Sequence, residues 1–246
     1  MQHRSKKIKK SFFIILVVLI VLSGGSAIYL GNYYHSVDVE KYMNGSSEVS
    51  VEKFDKGWFF DGAGEEKALI FYPGAKVATE AYAPLMYQLA ESGIDCFLVD
   101  MPFHMAFFGM NRAEEIMQEY NYEAWYLGGH SLGGAMAANF AADYVEDHTD
   151  GIRGLLLLAA YPTKDLSTSD MSVVTVYGSE DGVLNMDKIV ADRELMPQDY
   201  KEVCIEGGNH AQFGSYGAQK GDGTAAIPAE EQWARTVEVF VGDESE

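Results

Sequence analysis

The most constraining stretch of this 246-residue chain is Gly128-Gly129-His130-Ser131-Leu132-Gly133-Gly134. It joins an apolar run, residues 124–127, to a segment in which Ala137, Phe140, Ala141 and Tyr144 repeat at helical spacing. Gly129-His130-Ser131-Leu132-Gly133 fits G-x-S-x-G, a strand-to-helix turn with a serine at its apex. Such a turn is so tight that a side chain two residues either side of the serine strikes neighbouring backbone, which is why glycines stand there. The serine is held strained at the top of the sheet, and the Leu132 amide lies at a helix N-terminus, where it stabilises negative charge. A glycine-rich turn with an incidental serine would look alike in isolation; its place between strand and helix makes Ser131 a nucleophile candidate.

The rest of the pattern supplies the sheet for that turn. Residues 49–54 alternate with period two, Asp55-Lys56-Gly57 turns the chain, and Trp58-Phe59-Phe60 returns, a hairpin. Apolar runs follow at 68–72, 95–99, 124–127, 154–158, 173–177 and 202–205, several of them apolar almost throughout, as strands covered on both faces are. Helical spacing separates them: Tyr82, Leu85, Met86 and Leu89; Ala113, Ile116, Met117 and Tyr120; and, near the end, Trp233, Val237, Phe240 and Val241. The fold class is therefore α/β: about eight strands, mostly parallel, with helices on both faces. With 48% hydrophobic residues the chain can build one full-sized core. Cys96 and Cys204 are too few for a disulfide scaffold, and both are expected to be buried.

A serine hydroxyl needs a base, and the base an orienting acid. Tyr177-Gly178-Ser179-Glu180-Asp181-Gly182 follows one strand and Glu206-Gly207-Gly208-Asn209-His210 the last. Asp181 is the expected acid, with Glu180 its rival, and His210 the expected base. Each element falls after a strand end in the order serine, acid, histidine. Leu132 is one oxyanion donor. The other is Ala75 or Lys76 in Tyr72-Pro73-Gly74-Ala75-Lys76, where Gly74 lets the backbone turn sharply. Lys76, His104, Phe107 and Tyr161 are the expected substrate contacts. His130 is expected to pack beside the turn. No cluster of His, Asp, Glu and Cys has metal-ligand spacing, so no metal is expected.

With these motifs in order, the chain resembles the α/β-hydrolase superfamily over residues 48–241. The segments FYPGAK, LLAAYPTKDLS and GGNHAQFGSYG are similar to those of small bacterial dienelactone-hydrolase-like and esterase-like members, which often carry an N-terminal membrane segment. The resemblance implies a serine hydrolase of the carboxylesterase kind, cleaving an ester or similar acyl bond through an acyl-enzyme without a cofactor. Pro73-Gly74 stands where many members have His-Gly, which leaves the oxyanion hole less defined than the triad. Only 13 residues, 159–171, separate two strands where many relatives insert a helical cap, so an open site without a sizeable cap is expected.

Charge divides the chain. Residues 1–10 hold five of the 18 basic residues and no acid, leaving 13 against 37 acidic residues, or −24, for the rest. An unbroken apolar run, residues 12–22, follows. Residues 1–31 are read as a basic flank and membrane anchor, with a signal peptide cut near Ala27 as the alternative. Residues 32–47 are read as a stalk and 48–246 as the hydrolase domain, which lies outside the cytoplasm because the basic flank stays inside. The acidic surface excludes a nucleic-acid partner. The expected partners are a small-molecule or polymer-attached ester and the membrane, with the protein a monomer. A peptidase or amidase on the same fold, and a non-catalytic binding protein, are the alternatives.

Overall fold

The computed structural model describes residues 31–148 and 151–243. The chain divides into two compact units, Met1–Tyr33 and Tyr34–Glu246. The expected anchor, residues 1–31, lies outside the described residues except for Gly31. Among the described residues, no helix is long and apolar enough to cross a membrane.

The second unit is built on one sheet of eight strands: β1 (Ser50–Phe54), β2 (Gly57–Asp61), β3 (Lys67–Tyr72), β4 (Asp95–Val99), β5 (Ala124–His130), β6 (Ile152–Leu158), β7 (Ser172–Gly178) and β8 (Tyr200–Ile205). Their order across the sheet is β1-β2-β4-β3-β5-β6-β7-β8. The β1–β2 hairpin is antiparallel and β2 joins β4 antiparallel; every other pair is parallel. The carboxyl ends of β3 to β8 therefore open on one edge, the usual place for a site in such a sheet.

β3 shows why the inner runs read as apolar throughout. Leu69 and Phe71 point into one layer, packed with Leu85, Met86, Leu89, Trp233 and Phe240. Ala68, Ile70 and Tyr72 point into the other, with Ala113, Ile116, Ala137 and Phe140. Strand alternation sends successive side chains to opposite faces, and here both faces are covered. The helices that cover them are α2 (Ala83–Glu91), α3 (Arg112–Glu119), α4 (Leu132–Asp147) and α6 (Ala229–Asp243), while the short α1 (Glu40–Met43) and α5 (Met186–Ala191) lie outside the repeating pattern.

Two expectations are corrected. Residues 34–47 do not stand off as a stalk but belong to the compact unit. Tyr34 forms a parallel bridge with Val77, and Val39 and Tyr42 are buried in the core. The stretch is polar on average, but these apolar side chains fall where they can be covered. Cys96 is buried as expected, whereas Cys204 is exposed. β8 is an edge strand with only Ile205 buried, so an apolar-looking run there does not imply full coverage.

Candidate active site

At the end of β5 the chain turns into α4 through Ser131, whose φ of 52° and ψ of −122° lie in a region that costs an L-residue energy. The neighbouring glycines explain how the turn closes. A Cβ on Gly129 would lie 2.5 Å from Gly133 C, and one on Gly133 would lie 2.1 Å from Tyr72 O and 2.4 Å from Pro73 O. Left-handed backbone recurs at the same sheet edge in Lys76 after β3, Phe103 and His104 after β4, and Ala159 after β6. Ser131 N–H donates to Leu158 O (2.8 Å) and Ala159 N–H to Val176 O (2.8 Å), which anchors two of these bends to the adjacent strand.

Asp181 follows β7 and His210 follows β8. His210 Nδ1 and Asp181 Oδ2 are 2.8 Å apart, with side chains only 2% and 1% exposed. Asp181 Oδ1 accepts from the amides of Val183 and Leu184, each at 2.8 Å. The carboxylate is thus spanned by three partners, which fix its plane. Glu180 is exposed; its Oε1 accepts from Ser179 Oγ at 3.1 Å. Ser131, Leu132, Tyr161 and His210 line one cavity of about 340 Å³ together with Ala135, Met136, Ala159, Ala160, Thr163, Val183, Leu184 and Asn185.

The loop after β3 is held from three sides. Gly74 N–H donates to the Tyr82 hydroxyl (3.0 Å) and Lys76 N–H to His104 O (2.7 Å), while Lys76 O accepts from Tyr34 N–H (2.7 Å). Of the three successive amides, only that of Ala75 has no acceptor among the described residues. The Leu132 amide opens α4, where no preceding turn offers a carbonyl.

His130, inside the elbow, is 1% exposed. Its Nδ1 is paired with the Tyr82 hydroxyl at 2.8 Å, and its ring packs on His210 with centroids 4.4 Å apart. Burial, and then the neighbouring His210 ring, push its imidazole well below the ordinary histidine range. It is a neutral packing partner beside the turn, as expected from its position. Burial pushes the Tyr82 phenol up, and the Gly74 amide offsets part of that. Tyr82 therefore links the β3 loop to the elbow as an un-ionised hydroxyl.

Of the expected substrate contacts, the cavity includes Tyr161 but not Lys76, His104 or Phe107. Phe103 and His104 both take left-handed backbone directly before the segment that holds Phe107. Phe103, Phe107 and Phe108 are exposed and pack on one another, with ring centroids 5.5 and 4.2 Å apart, and Phe107 lines a different cleft with Pro102 and Arg112. His104 serves the loop through its backbone carbonyl, and burial lowers the proton affinity of its ring. The wall residues missed from sequence include Met136, Val183, Leu184 and Asn185, and Tyr82 behind the elbow was missed as well. Residues 159–171 contain no helix or strand, so no cap arises there. Among the described residues no group of His, Cys, Asp and Glu is arranged to hold a metal ion.

The arrangement can run acyl transfer: a strained serine, an imidazole oriented by a carboxylate, and the Leu132 amide beside the serine at the start of α4. Residues 68–234 match the model of the alpha/beta hydrolase family. No curated protein matches the sequence. Among solved structures, Est1E from Butyrivibrio proteoclasticus is 16% identical, with 81% of this chain and 100% of that chain covered and a TM-score of 0.57. Carboxyl esterase 2 from the mycorrhizal fungus Tuber melanosporum is 12% identical over 85% and 89%, with a TM-score of 0.59. A monoacylglycerol lipase from Paleococcus ferrophilus is 14% identical over 80% and 99%, with a TM-score of 0.57. At such identities the structural likeness speaks for the fold. The family match, which spans well over half of the chain, shows that the protein belongs to the α/β-hydrolase family.

Proposed function

We propose that this α/β hydrolase is a carboxylesterase that cleaves neutral esters through a Ser131-His210-Asp181 triad. The observation that carries the reading is the Asp181–His210 pair, desolvated and 2.8 Å apart, with His210 lining one cavity beside Ser131. In the first step Ser131 Oγ attacks the ester carbonyl while His210 takes its proton. Asp181 holds the Nδ1 proton of His210 and stabilises the imidazolium. The amides of Leu132 and Ala75 receive the oxyanion, since the Lys76 amide is engaged by His104. His210 then protonates the departing alcohol, leaving Ser131 acylated. A water molecule, deprotonated by His210, attacks the acyl group and releases the acid and free Ser131.

The wall favours uncharged acyl groups. No Lys, Arg, Asp or Glu lines the cavity, and Leu132, Ala135, Met136, Val183 and Leu184 make most of it apolar. The closer likeness to dienelactone-hydrolase-like and esterase-like bacterial hydrolases rests on the segments FYPGAK and GGNHAQFGSYG. The basic first ten residues and the apolar run that follows support an N-terminal anchor with the hydrolase outside the cytoplasm. The full chain should hydrolyse p-nitrophenyl acetate and butyrate, and Ser131→Ala should not. Cleavage of aminoacyl anilides without cleavage of esters would replace this reading with a peptidase.

A further inference from the structure

We propose that Asp222 is a positioning residue that locks the acid loop and the histidine loop of the triad in register. The inference rests on the serine-hydrolase reading above and names a residue outside it. Asp222 sits in the return segment between the histidine loop and α6, in Gly221-Asp222-Gly223. Its Oδ1 accepts from the amides of Gly182 (3.1 Å), His210 (3.2 Å) and Gly223 (2.8 Å). Its Oδ2 accepts from the amide of Ala211 (2.8 Å). One side chain thus holds the residue after Asp181, His210 itself and the residue after His210.

The chemistry demands a carboxylate. Four converging N–H donors need an acceptor with two oxygens and no donor of its own. Bonds from amides to an ionised carboxylate are also shorter and stronger than neutral ones. An asparagine would retain one oxygen but turn an NH₂ group toward one set of donors. The backbones confirm that the segment is wedged in place. A Cβ on Gly182 would lie 2.6 Å from Gly221 O, and one on Gly223 would lie 2.0 Å from Glu180 O. Asn209 adds a parallel tie, donating from Nδ2 to Gly223 O at 2.8 Å. The His210–Asp181 contact joins two loops at the ends of β7 and β8, and Asp222 is the side chain that bonds to the backbone of both.

The test uses the full chain and the variants Asp222→Asn and Asp222→Glu. Three readouts are taken: thermal midpoint, kcat and KM on p-nitrophenyl acetate, and the low-field proton signal of His210 Nδ1–H. In the folded Asp222→Asn protein kcat should fall at least tenfold with KM changed less than twofold, and the low-field signal should broaden or vanish. A folded variant with wild-type kcat and an unchanged signal would overturn the proposal. If Asp222→Asn does not fold, Asp222→Glu, which keeps the charge but displaces the oxygens, decides by the same readouts. Should the wild type itself cleave no ester, the serine-hydrolase reading fails, and the low-field signal still decides whether Asp222 sets the His210–Asp181 bond.

Discussion

Gly133→Ala should cost far more activity than a single methyl suggests. The added Cβ would lie 2.1 Å from Tyr72 O and 2.4 Å from Pro73 O. Ordinary van der Waals contact begins near 3.4 Å, so roughly 1 Å of backbone displacement is required. Both obstructing atoms are backbone, and neither can rotate away. They lie directly before Gly74 and Ala75, so the displacement moves the Ala75 amide or tilts α4 and, with it, the Leu132 amide. A shift of about 1 Å in a catalytic group costs about 10²-fold in rate. Overpacking of this kind also costs about 1–3 kcal/mol, which for a domain of this size lowers the thermal midpoint by roughly 3–10 °C. The matched control is Gly242→Ala in α6, where nothing lies within 4 Å of the added Cβ. It should leave kcat unchanged and stability equal or slightly raised. The assay is p-nitrophenyl acetate hydrolysis by both purified variants, with melting followed by circular dichroism. A Gly133→Ala protein with wild-type kcat would show that the close approach of the elbow to the β3 loop does not set the site.

Two further outcomes follow from groups behind the triad. Tyr82→Phe leaves the Gly74 amide and His130 Nδ1 without their shared hydroxyl, so it should lower stability by about 1–3 kcal/mol and reduce kcat more than it changes KM; a variant equal to wild type in both would remove the link. His130 has its proton affinity lowered in the folded state, so below the unfolded value near 6.5 only the unfolded chain takes up that proton. Stability should therefore decline as pH falls through that value, by about 1.4 kcal/mol per unit from this group, until the folded-state value is reached. Urea unfolding at pH 7 and 5.5 should show a smaller loss in His130→Asn than in wild type, and equal losses would refute the assignment.

Most of the sheet was legible because its strands carry continuous apolar runs and its long helices a 3.6-residue repeat. The G-x-S-x-G turn was legible for a different reason: steric closure requires glycine at Gly129 and Gly133, so the backbone demand is written in residue type. That Asp181 and His210 would meet could be read from their place after strand ends. The wall could not. Val183 and Leu184 are ordinary apolar residues in a loop, and Met136 shares its helix with core residues; only the fold distinguishes their directions. Phe107 illustrates the converse, since an apolar run near a strand end suggests a wall, yet Phe107 lines a different cleft. Tyr82 reads from sequence as one more core position in the repeat with Leu85, Met86 and Leu89, although it precedes α2, and its hydroxyl carries no periodic signal. Asp222 depends on a return segment folding back across two loops, a long-range contact that local pattern does not encode.

Reaction with a fluorophosphonate, followed by intact-mass measurement and peptide mapping, tests Ser131 as the nucleophile most directly. A hydroxyl activated by His210 should form one stoichiometric adduct on the Ser131 peptide, and an ester substrate should slow its formation. Ser131→Ala, confirmed as folded, should form none. A folded wild-type protein that takes no adduct, or an adduct that persists in Ser131→Ala, would contradict the triad.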